Sequence, residues 1–104
     1  MVEVEVSAVD GPGSSPLLTM GGEFDASDLG LIEDFFGLWS AQGHRHAVLD
    51  LTHVSSIDST VISALVTAQI AGLTLTVRGA SGSVHTAFDI ACVGDVLQIE
   101  AVPP

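Results

Sequence analysis

Between Ala47 and Ile70 the hydrophobic period changes, and that change restricts the fold more than any other feature of the chain. Ala47 to Leu51 is a short apolar run with the length and branching of a buried strand. A polar segment with Thr52, His53, Ser55 and Ser56 follows and reads as a tight turn. Ile62, Leu65, Val66, Gln69 and Ile70 then recur at steps of three and four, the period of a helix. Asp58 stands where an N-cap belongs, because its carboxylate accepts from the free amides of the first turn. The product is a strand, a turn and a helix start bearing Asp58, Ser59 and Thr60. Hydroxyls at a helix N-terminus are well placed to carry or meet phosphate, since free amides and the helix dipole favour negative charge there.

The rest of the chain builds around this unit. Val2, Val4, Val6 and Ala8 alternate with Glu3, Glu5 and Ser7, as in a strand wetted on one side. The turn-rich segment Asp10 to Pro16 joins it to a second strand, Leu17 to about Gly22. A helix follows with Leu29, Ile32, Phe36 and Trp39 on one stripe and Phe35 and Leu38 beside it, and Gly43 stops it. After the central unit, Gly72 ends the helix and Leu73 to Val77 alternates as a strand. Gly79 to Ser83 turns the chain. Val84, Ala87, Phe88 and Ala91 mark a short helix closed by Gly94, and Val96 to Val102 forms a last strand. The order β-β-α-β-α-β-α-β predicts an α/β layer with its later strands parallel. At 104 residues the chain supports one core, so residues 1–104 read as a single domain.

Charge removes several function classes. Thirteen acids face only Arg45 and Arg78, there is no lysine, and the formal charge is −11. Such a chain has little with which to neutralise a phosphate backbone, so direct nucleic acid binding is not expected. A phosphate-gripping Walker loop fails for want of its lysine. The uncharged run between Asp58 and Arg78 is too polar and too broken for a membrane span. The first residues lack a signal peptide's basic and apolar regions, and the single Cys92 suits a reducing compartment, so the expected location is cytoplasmic.

Catalytic and metal readings are weak. Gly79-Ala80-Ser81-Gly82-Ser83 lies between strand and helix but breaks the spacing of a nucleophile elbow and reads as a capping turn. His44 and His46 are one residue apart, a spacing that a strand start would put on one face, while His53 and His85 are scattered, without the carboxylate or cysteine pattern of a zinc site. Cys92 falls four residues after Phe88 and reads as a small buried hydrophobe, with a redox role as the alternative. No cofactor, metal site or catalytic residue is expected. The helix after Asp58 differs from these. Charges normally face outward on a helix covering a sheet, yet none occurs from Ser59 to Ile70. Thr60, Ser63 and Thr67, with Val61, Ala64 and Ala68 nearby, form a neutral small-residue face suited to docking another protein. The alternative is a helix packed inside a homodimer or larger homo-oligomer.

Leu49-Asp50-Leu51 followed by Ile57-Asp58-Ser59-Thr60 resembles the "L-D-L…h-D-S-S/T-G" signature of STAS domains, the sulfate transporter and anti-sigma factor antagonist family. Gly22-Glu23-Phe24-Asp25 is similar to the "G-E-L-D" that precedes the family's first helix, with Phe24 in the Leu place. The run from Val84 to Leu97 resembles the family's "V-x-x-x-F-x-h-x-G-h-x-x-h-h" ending. Val61 stands where the family pattern has Gly. The resemblance implies a STAS-like mixed β-sheet with an N-terminal β-hairpin and covering α-helices. It also implies a non-enzymatic anti-sigma factor antagonist that binds an anti-sigma factor, often a serine/threonine kinase using ATP, and so frees a sigma factor. By residue matching, Thr60 is the hydroxyl whose phosphorylation ends that interaction, with Ser59 its nearest competitor, and Asp25 and Asp58 are the motif acids. The alternative is a STAS scaffold that is never phosphorylated, in a signalling or transporter-associated assembly. Val61 beside Thr60 favours it by crowding a kinase active site.

Overall fold

The computed structural model describes residues 2–8, 15–80, 82–91 and 97–99. Among them the chain runs β1 (Val2–Ala8), β2 (Pro16–Phe24), a 3-10 turn (Ala26–Asp28), α1 (Leu29–Ala41), β3 (His46–Ile57), α2 (Ser59–Ile70), β4 (Thr74–Arg78), α3 (Gly82–Ala91) and β5 (Gln98–Ile99). β1 and β2 form the antiparallel hairpin, and β2, β3, β4 and β5 are parallel neighbours in chain order. The fold is therefore α/β with a mixed sheet, as the element order predicts. Because every crossover steps the same way along the sheet, right-handed connections put α1, α2 and α3 on one face. Their buried side chains, Ile32, Phe36 and Trp39, then Val61, Ile62 and Leu65, then Val84 and Phe88, merge with Leu18, Met20, Leu49, Leu75 and Val77 in one core.

The central strand differs from its sequence reading. It does not stop at Leu51 but continues through the polar segment to Ile57, twelve residues in all. The register explains this: Thr19 pairs with Asp50 but Gly21 with His53, and Gly22 with Val54 but Glu23 with Ser56. Each shift inserts an extra residue in β3, a bulge that breaks alternation and makes a strand look like a turn. Val54 and Ile57 are buried inside that segment while Thr52, His53, Ser55 and Ser56 are exposed. Asp50 secures the first bulge, its Oδ1 accepting from the Thr52 amide at 3.0 Å and the Thr52 hydroxyl at 2.6 Å.

Smaller differences follow from helix phase. The stripe of α2 that meets the core is centred on Val61 and Leu65, so Ile70 at the helix end is 77% exposed and Val66 is half-buried. Leu38 of α1 is likewise 52% exposed. β2 extends through Phe24, whose ring is buried. Among the described residues β5 first pairs at Thr76, and the Leu75 amide, one residue earlier, donates to Gln69 Oε1 at 2.8 Å. The turn over Asp10 to Ser14, Ser81, Cys92, Gly94 and the ends of the last strand lie outside the described residues. Among the described residues no helix is long and apolar enough to cross a membrane.

Candidate partner-binding site

The two motif acids meet at one end of the sheet. Phe24 and Ile57 are register partners, and the Asp58 amide donates to the Phe24 carbonyl at 2.9 Å, so Asp25 and Asp58 leave neighbouring strands side by side. Each caps the element it opens. Asp25 Oδ1 accepts from the Ser27 amide at 2.9 Å and from the Ser27 hydroxyl, and Asp28 Oδ2 accepts in return from the Asp25 amide at 2.9 Å, a reciprocal capping box. Asp58 Oδ1 accepts from the Thr60 amide at 2.7 Å. The cap predicted from sequence is present.

These bonds set the acidities. The Ser27 hydroxyl, then its amide, hold the Asp25 carboxyl below its usual value. The Thr60 amide, with the Thr60 hydroxyl second, holds Asp58 down, while partial desolvation and the Asp25 charge pull it up. A carboxylate depressed in the folded state contributes stability above its unfolded pKa and loses it as pH falls through the folded value. The melting-temperature gap between the wild type and Asp58→Ala is therefore expected to hold steady above about pH 5 and to close as pH falls below about 4, the ordinary carboxyl range. A gap that persisted undiminished at pH 2 would exclude a titrating cap.

Ser59, Thr60, Ser63 and Thr67 are all exposed, so α2 presents its neutral hydroxyl face outward. The Thr67 hydroxyl donates to the Ser63 carbonyl at 2.9 Å. Shallow grooves flank this ridge. One, between α2 and α3, is lined by Ser59, Ile62, Ser63, Val66, Thr67 and Ala91. The other, between α1 and α2, is lined by Glu33, Phe36, Ala64, Thr67, Ala68 and Ala71. The α1 wall has no local signal in the sequence, because Glu33 and Phe36 belong to a different crossover from Ala64, Ala68 and Ala71. Val61 corrects an expectation outright. It is 0% exposed, so its side chain lies in the core and cannot crowd a partner at the surface.

The remaining candidates are not drawn into this site. His46, at the start of β3, sits between two hydroxyls, with Ser15 Oγ, just before β2, 2.9 Å from Nδ1 and Thr76 Oγ1 of β4 2.7 Å from Nε2. His53 is exposed on β3, and His85 pairs with Asp89 on α3 at 3.2 Å. Among the described residues no group of three or more histidines, cysteines and acids is placed to hold a metal.

The architecture is thus an α/β sheet with a hairpin edge, helices on one face, and Asp58, Ser59 and Thr60 at the central crossover. The backbone is similar to that of an anti-sigma factor antagonist from Mycobacterium paratuberculosis, with a TM-score of 0.78 at 14% identity over 96% of this chain and 87% of that one. It is also similar to the anti-sigma factor antagonist SpoIIAA in its unphosphorylated form (TM-score 0.66, 10% identity, 95% of this chain and 90% of that one). The Bacillus cell fate determinant SpoIIAA in its phosphorylated form gives 0.64 at 14% identity, covering 93% and 92%. At such identities these likenesses are of fold. No curated protein matches the sequence. The family model described as "Mlab, STAS domain" matches residues 7–99 of the 104, and the chain belongs to the STAS domain family.

Proposed function

We propose that this chain acts by binding, as an anti-sigma factor antagonist whose α2 face engages an anti-sigma factor and whose Thr60 is the switch. The observation that carries the reading is the placement of Asp58, Ser59 and Thr60 at the exposed start of an uncharged helix, beside Asp25. The fold neighbours support it, being antagonists of this kind, one of them in a phosphorylated form. Phosphate on Thr60 adds about −1.5 to −2 charges next to two carboxylates. The Thr60 amide is already given to Asp58, which leaves the helix terminus less able to absorb that charge. A docked partner then has to counter it, and a loss of about 2.7 kcal/mol is a hundredfold in affinity.

The test begins with co-purification of the partner from the native cell. Thr60→Glu is expected to bind that partner about a hundredfold more weakly, a shortfall from true phosphate notwithstanding. Thr60→Ala should stay bound when ATP is added, and mass spectrometry of the wild type should place phosphate on Thr60. Phosphate on Ser59 alone would move the switch by one residue.

One observation favours a second reading, the unphosphorylated scaffold. Val61 anchors the first turn of α2 to the core, and the amides of Val61 and Ile62 both donate to the Asp58 carbonyl, at 3.0 and 3.1 Å. A kinase must draw its target hydroxyl out of such a turn. Absence of phosphate on every hydroxyl after incubation with the cognate kinase would select this reading.

A further inference from the structure

α1 carries two glycines that its own fold does not require. Gly30 and Gly37 are seven residues apart, hence on one side of the helix, and both are exposed. A Cβ built at either meets nothing within 4 Å. Glycine weakens a helix interior, and no neighbouring atom in the described chain repays that loss. The glycines leave bare backbone on the outward side of α1, next to Glu33 and Asp34. Glu33 in turn lines the groove with Phe36, Ala64, Ala68 and Ala71.

We propose that the α1–α2 groove, with the glycine side of α1, docks a basic amphipathic helix of a partner protein. This extends the α2 face of the proposed function to a second element and rests on that reading. The charge pattern selects the occupant. Glu33 and Asp34 are the charged residues of α1, α2 has none, and Asp28 and Asp58 stand at the N-terminal end. A small-residue floor with Glu33 on its wall and Asp34 beside it on the exposed side of α1 matches an apolar helix edge flanked by Arg or Lys. A second copy is the poorer occupant, because it brings thirteen acids against two arginines, of which Arg78 is half-buried. Bare backbone lets the incoming helix approach α1 closely, as small residues do between packed helices.

The probes are two synthetic helical peptides with the same Ala/Leu edge, one flanked by Arg and one by Glu, titrated into the isotope-labelled full chain. The Arg peptide is expected to shift the amides of Gly30, Glu33, Ala68 and Ala71, and the Glu peptide to leave them still. Gly37→Leu should raise the melting temperature, since it adds a better helix former in open space, yet weaken the Arg peptide at least tenfold. Glu33→Lys should reverse the preference between the peptides. Shifts confined to Ser59, Ser63 and Val66 would overturn the α1–α2 site while leaving the α2 face standing. Equal binding of both peptides, no binding of either, or concentration-dependent shifts without peptide would each overturn the proposal, the last in favour of a second copy.

Discussion

Gly79→Ala should lower the unfolding free energy by about 3 kcal/mol, from about 1–2 kcal/mol for a left-handed alanine and a comparable overpacking cost. The glycine has φ +77°, and a Cβ there would lie 2.3 Å from Thr52 Oγ1 and 2.9 Å from the Thr52 amide nitrogen. Thr52 cannot simply step aside. Its hydroxyl and amide are both bound to Asp50, and they hold the bulge that keeps β3 in register with β2. Gly43→Ala is the control, with φ +85° but open space around the new methyl. Only the backbone cost applies there, about 1–2 kcal/mol. Urea unfolding of the two variants separates strain from collision, and equal losses would mean that the Asp50–Thr52 bulge yields freely.

Val61→Gly is expected to cost as much by another route. Burying a valine is worth about 1.5–3 kcal/mol, and glycine in a helix loses about 1 kcal/mol more. Because Val61 is fully buried and sits in the first turn of α2, the loss should begin locally, and hydrogen exchange at the Val61 and Ile62 amides should quicken more than in β3. The same loosening is expected to speed phosphorylation of Thr60 by a cognate kinase. A cost below about 1 kcal/mol would mean that the side chain contributes nothing beyond helix propensity.

The fold was legible where period and burial coincide. Ile32, Phe36 and Trp39 read as a stripe and are buried, and Asp58 reads as an N-cap and is one. It was illegible where a bulge changes the count. Between Asp50 and Ile57 the chain looked like a turn because two inserted residues destroy alternation, and only the pairing with β2 shows a strand. Val61 stands four residues before Leu65 and shares its buried stripe, but its place beside Ser59 and Thr60 makes it read as part of the exposed hydroxyl face. The acids of the site could be paired from the motif order, but the α1 wall of the groove could not. Its residues belong to a different crossover, and nothing local links Glu33 to Ala68.

The strand order has a consequence for how the chain is made. β1 to β5 lie in the sheet in the order in which a ribosome would emit them. Each new strand meets its predecessor as its edge, so no stage of growth has to wait for a distant segment or hold open a gap for insertion. Loop closures stay short for a largely parallel sheet, which favours quick assembly and limits the time that unfinished edges are offered to other chains. The edge made first, β1, is the one exposed longest, and it carries Glu3 and Glu5, whose charge discourages a stranger's strand from adding there.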